Sequence, residues 1–195
     1  MKKLLLTLVI LLTATSIYSQ GRYISAYYGM AENALIRYQS LDGAASYNGK
    51  GTPLIGIRYR QSISNTFDIE AGAEYVENRI EITPAFYPGI DMTPRETEIE
   101  LVSFPVFLRH EISKHLFIHG GPLIDVEINR KTGQSTDNQS GLGFGLGLGG
   151  RLPTGSFEFF IDPFINLRAI LPFEKDNHHQ HLLEAGVKLG VGYRL

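Results

Sequence analysis

The stretch Ser140-Gly-Leu-Gly-Phe-Gly-Leu-Gly-Leu-Gly-Gly-Arg-Leu152 alternates Gly143, Gly145, Gly147 and Gly149 with Leu142, Phe144, Leu146 and Leu148. One face of such a strand is bare and the other is apolar. Glycine inside a strand costs backbone entropy and packs nothing, so a soluble sandwich gains nothing by stripping a whole face. A narrow barrel does gain, because bare inward positions make room for long arginine or tyrosine side chains from across the lumen, while the apolar face meets lipid.

Outward from this strand the same period of two recurs. Eight alternating segments, bounded by glycine, proline and polar clusters, are predicted at 22–30, 53–62, 66–80, 97–110, 115–128, 140–152, 156–170 and 181–194. In the seventh, Phe157, Phe159, Ile161, Ile165 and Leu167 oppose Glu158, Asp162, Asn166 and Arg168. In the eighth, Leu183, Ala185, Val187, Leu189, Val191 and Tyr193 oppose Glu184, Gly186, Lys188, Gly190, Gly192 and Arg194. The fourth breaks the pattern: Glu98 and Glu100 are even, Ser103 and Arg109 odd, so a bulge near Val102 or Ser103 is expected, next to Pro105.

Connections alternate between short (63–65, 111–114, 153–155) and long (31–52, 81–96, 129–139, 171–180). This is the pattern of an all-β, eight-stranded antiparallel up-and-down transmembrane barrel with short periplasmic turns and long extracellular loops. The charged face is then the lumen, with Arg58, Arg60, Arg109, Arg151, Arg168 and Lys188 set against Glu70, Glu74, Asp125, Glu158, Asp162 and Glu184. Eight strands enclose a space that side chains can fill, so these charges are expected to pair into a plug rather than line a pore. Tyr23, Tyr27, Tyr59, Phe67, Tyr75, Phe157 and Tyr193 fall near strand ends and read as interfacial girdles. A soluble lipocalin-like barrel with an apolar cavity is the alternative, because period two does not say which face looks inward.

Residues 1–19 read as a cleaved signal peptide, with Lys2 and Lys3 ahead of the apolar run Leu4 to Leu12; residues 20–195 form the barrel domain. The chain has no cysteine, which excludes disulfides, thiolate metal sites and a lipoprotein anchor. A net charge of −2 and a pI near 6.3 give no footprint for nucleic acid. Mean hydropathy is −0.05, which alternation explains without helical spans.

The segment Glu100-Leu-Val-Ser-Phe-Pro-Val-Phe-Leu-Arg109, the following strand with Gly120-Gly121-Pro122, and the leader ending Tyr18-Ser19-Gln20-Gly21 resemble the Bacteroidota outer-membrane β-barrel family that includes PorT-like proteins. The resemblance covers essentially the whole mature chain. It implies an outer-membrane location and, for some members, assistance to protein secretion.

Other motifs are weaker. Gly145-Leu-Gly147-Leu-Gly149-Gly150 matches a dinucleotide fingerprint by letter but leads into another strand, not a helix, so no nucleotide is expected. His178, His179 and His181 crowd one loop without a second cluster, and read as loop polarity with no metal. A lipid-modifying enzyme would need histidine beside serine or an acid; His110 with Ser113 and His119 with Asp125 are the nearest pairs, and neither forms a convincing constellation. No cofactor is expected. The long loops carry Tyr38, Tyr47, Phe86, Tyr87 and Ile90, residue types suited to anchoring a partner. The expected function is therefore a non-enzymatic outer-membrane scaffold or interaction component, in contact with outer-membrane lipid and envelope proteins.

Overall fold

A computed structural model describes residues 21–37, 46–84, 93–130, 136–174 and 180–195. Among these, nine strands occur: β1 (Arg22–Arg37), β2 (Ser46–Gly49), β3 (Thr52–Ser62), β4 (Phe67–Thr83), β5 (Arg95–Glu111), β6 (Leu116–Glu127), β7 (Gly141–Thr154), β8 (Phe157–Pro172) and β9 (Gln180–Arg194). Each long strand pairs antiparallel with its neighbours in the chain, and β1 closes the ring against β9. The result is an up-and-down barrel of eight staves.

The ninth strand is a continuation of a stave. β2 and β3 both pair with β4 and are separated only by Lys50-Gly51, where Gly51 takes φ +98° and Lys50 N–H still donates to Arg79 O at 2.9 Å. The insertion is a bulge, with glycine at the left-handed position. Three tight turns lie at the end that also holds Gly21 and Leu195, where Leu195 N–H donates to Arg22 O and Ser62 N–H to Gly21 O. The expected leader, 1–19, and the loop residues Tyr38, Phe86, Tyr87 and Ile90, with His178 and His179, lie outside the described residues.

Polarity along the staves comes in two tiers. From the turn end upward, β4 turns Phe67, Ile69 and Tyr75 outward and Asp68, Glu70 and Glu74 inward. Above Tyr75 the arrangement inverts: Glu77, Arg79 and Glu81 face out or lie at the flank, while Val76 and Ile80 are buried. β5 inverts in step, with Phe104, Val106 and Leu108 outward below, and Ile99 and Leu101 buried above. The lower tier therefore has an apolar exterior and a charged interior, opposite to a lipocalin. The upper tier has an apolar core of Leu54, Val76, Ile80, Ile99, Leu101 and Leu182 and a polar exterior on this flank.

This inversion corrects the reading of β5. No bulge lies near Val102 or Ser103: Val106 pairs with Ala71 and Ser103 with Glu74 in one unbroken register, and odd residues from Ile99 to Arg109 all point inward. Glu98 and Glu100 face outward because they stand above the apolar belt. Irregularity occurs instead between Leu142 and Phe144 of β7, opposite β8, where Ala169 adopts φ +51°. Above Leu167 and Leu183, β8 stays with β7 while β9 stays with β1, and His181 Nδ1 meets Ala169 O at 2.9 Å across the gap.

Two girdle assignments also change. Tyr27 points into the lumen and Tyr23 lies beneath Arg60, whereas Tyr28, Tyr59, Phe67, Tyr75, Phe157 and Tyr193 face outward. The parity of β1 places odd residues inward, so Tyr28, not Tyr27, is the exterior aromatic.

Candidate functional site

The glycine stripe of β7 faces the lumen and is filled from neighbouring staves. A Cβ at Gly149 would collide with the Phe117 ring, one at Gly147 with His119 Nε2 and Asp162 Oδ1, and one at Gly145 with Asn166 Oδ1 and Phe107. The occupants are thus phenyl rings, an imidazole and short polar groups of β5, β6 and β8, rather than the arginines or tyrosines expected from across the lumen. Tyr27 does use such a space at Gly56.

Charges fill the lower tier in three connected layers. Nearest the turns, Arg60 makes a bidentate pair with Glu158 (2.8 and 3.0 Å), and Arg151 joins Glu158 (3.1 Å) to Glu111 (2.9 Å). Arg109 bridges Glu111 (2.8 Å) and Glu70 (3.1 Å). In the middle, Arg58 pairs with Glu70 (3.0 Å) and Asp162 (3.5 Å), and His119 sets Nε2 2.9 Å from Asp162 and Nδ1 3.7 Å from Glu70. Above them Arg168 reaches Asp125 and Glu184, both at 2.6 Å, and Lys188 reaches Glu74 at 2.6 Å, which also accepts from Tyr27 Oη at 2.7 Å. Each of the twelve charges expected in the lumen stands in this network; Arg151 alone keeps appreciable exposure, 17% of its side chain.

Such burial is tolerable only because each ion finds an opposite partner, since a lone buried ion costs several kcal/mol. The arginines add ring contacts: Arg109 lies over Phe117 at 3.5 Å and Arg58 over Tyr27 at 5.0 Å. Sequence reading left out His119, Ser103, Asn78 and Asn166 as network members, though strand parity places all four inward. Ser103 and Asn166 bond Arg168 and Glu184, and Asn78 ties Glu184 to Asn33 and Thr52.

The apolar tier closes the barrel above the charges, and a segment before β7 lies over it. Gln139 is fully buried, its N–H donating to Glu127 (2.7 Å), its amide to Gln180 O (3.1 Å), and its Oε1 accepting from Leu182 N–H (3.2 Å). No sequence signal marks this residue, because a glutamine in a polar loop has no periodicity to read. Tyr47 packs against the apolar tier instead of standing free as a loop anchor.

The two pairs weighed for enzymatic chemistry do not assemble. His110 Nδ1 faces Thr66 O (3.2 Å) while Ser113 Oγ accepts backbone N–H groups of His115 and Leu116. His119 engages Asp162, and Asp125 belongs to Arg168.

The lower belt differs in height around the barrel. On β4 exposed apolar residues run from Phe67 to Tyr75. On β6 they run from Leu116 to Ile128, and on β8 and just beyond it from Phe157 to Phe173. For strands tilted near 40°, these spans rise ~20 Å, ~30 Å and ~40 Å, against the ~25 Å apolar band of outer-membrane barrels.

No family model and no curated protein matches the chain. Among solved structures, the outer membrane protein OprG from Pseudomonas aeruginosa is similar over 91% of this chain and 97% of its own, with a TM-score of 0.59 at 9% identity. The outer membrane protein AlkL is similar over 91% of this chain and 92% of its own, with a TM-score of 0.55 at 11% identity. The fold is that of outer-membrane β-barrels.

Proposed function

We propose that this chain is a non-enzymatic barrel of the outer membrane that acts as a scaffold or interaction component for other envelope proteins. The observation that carries this reading is the filled lumen: two tiers of packed side chains, ionic below and apolar above, leave the barrel interior committed to its own cohesion. Partner chemistry then falls to the exterior and the two ends.

The β6–β8 flank supports it. Val126, Ile128, Ile170, Leu171 and Phe173 continue the apolar exterior above the height at which β4 and β5 turn charged. A bilayer matched to β4 leaves this flank uncovered, and exposed apolar surface of that kind marks protein contact. The resemblance of residues 100–109 to PorT-like barrels favours protein secretion or envelope assembly as the setting.

Photo-crosslinking residues placed at Ile128 and Phe173, with Ile57 as the lipid-facing control, test the proposal in native outer membranes. Discrete protein adducts at the first two positions, with lipid alone at Ile57, are expected. Lipid adducts at all three positions would contradict it.

A further inference from the structure

At the turn end the lumen opens into a cavity of about 220 Å³ whose walls include Arg60, Ser62, Asn65, Asp68 and Arg194. Its inner end is closed by charges already spent on one another, the Arg60–Glu158 and Arg151–Glu111 pairs. The outer wall is different. Among the described residues Arg194 has no ion-pair partner, and the Ser62 hydroxyl and Asn65 amide make no hydrogen bond. Asp68 lies 3.5 Å from Arg60 Nε as an ion pair without a hydrogen bond, and that Nε, on a side chain only 4% exposed, has no acceptor. One cavity thus presents an unspent cation and an under-used carboxylate that are not paired with each other.

We propose that this vestibule binds a zwitterionic peptide end, a short peptide with a free ammonium and a free carboxylate. Arg194 and the Ser62 hydroxyl take the carboxylate, charge-assisted donors to an acceptor group. Asp68, with Asn65 beside it, takes the ammonium. Arg60 fixes the position of Asp68 from behind. Cavity volume restricts the ligand to one or two residues, whether a soluble peptide or the free amino-acid end of a diamino acid in a cell-wall stem peptide. That the mouth faces the periplasm rests on the outer-membrane reading above; the binding chemistry does not.

The test titrates alanyl-alanine into the ¹⁵N-labelled protein folded in detergent micelles and follows the amides of Ser62, Asn65, Asp68 and Arg194. Saturable shifts confined to these residues are expected, weakened at least about tenfold, or ~1.4 kcal/mol, by N-acetylation or by C-amidation of the peptide. Arg194→Gln, at an exposed position, is expected to erase the difference between free and amidated peptide while leaving the heat-modifiable gel shift intact. Asp68→Asn does the same for the acetylated form. Equal binding of all three peptides, or no saturable shift into the high-millimolar range, would overturn the site. Co-sedimentation with intact peptidoglycan sacculi, lost in Arg194→Gln, assigns the ligand to the cell wall; peptide binding without sedimentation assigns it to soluble peptides. Because the titration needs no membrane location, its failure strikes the site and leaves the barrel reading standing.

Discussion

Gly147 and Gly150 sit three residues apart on one strand and answer to different surroundings. At Gly147 the space of a side chain is already taken by His119 and Asp162. Gly147→Ala is expected to cost about 1–3 kcal/mol, the usual penalty of overpacking, in urea unfolding followed by gel shift. At Gly150 a Cβ meets nothing nearer than Ile161 Cγ2 at 3.5 Å, so Gly150→Ala is expected to be neutral or slightly stabilising. Arg168 is the other decisive residue, fully buried between Asp125 and Glu184. Arg168→Met leaves two uncompensated carboxylates and is expected to destabilise by about 3–5 kcal/mol. Adding Asp125→Asn and Glu184→Gln to it should recover much of that loss, since the damage comes from stranded charge; no recovery would mean that Arg168 acts through shape alone.

At the scale of the strand, position relative to the belt outweighs side-chain chemistry. Ile69 on β4 faces outward below the inversion and Glu98 on β5 faces outward above it. Val106→Arg, on the outer face opposite Ala71 and midway between the heights of Phe67 and Tyr75, is expected to lower insertion into lipid vesicles by about 2–4 kcal/mol, the cost of a cation on the lipid face near the midplane. Glu98→Arg is expected to insert as the parent does. The same boundary explains what the sequence made legible. Period two is strong wherever one face meets lipid and the other meets charge, which is why β6, β7, β8 and β9 were placed to within a few residues. It misleads once charge is assumed to mean inside throughout: Glu98 and Glu100 then conflict with Arg109, and a bulge is invoked that β5 does not contain. Residues 31–37 and 46–49 read as loop in the sequence because, above the belt, Glu32 faces out and Leu35 packs inward, weakening the contrast with the alternation below. Of the lumen network, parity reveals the long charges; His119 and Asn78 take their roles from partners on staves that are not their neighbours, Asp162 of β8 and Glu184 of β9, which no strand read alone brings near.

For the molecule as a whole, shape and charge distribution describe a membrane-spanning barrel with its interior closed. In planar bilayers the folded protein is expected to show no steady open-channel conductance at neutral pH, and Arg168→Ala with Glu184→Ala, which removes a pair between adjacent staves of the upper ionic layer, is expected to leave it closed because the apolar tier above still blocks the lumen. The most direct test of the account is which face meets lipid. The chain contains no tryptophan, so single tryptophans report without background. In vesicles of brominated phospholipid, Leu148→Trp and Phe159→Trp are predicted to be strongly quenched, and Phe117→Trp and Phe160→Trp, inside the lumen, to be nearly unquenched. Quenching of the second pair with sparing of the first would contradict the account.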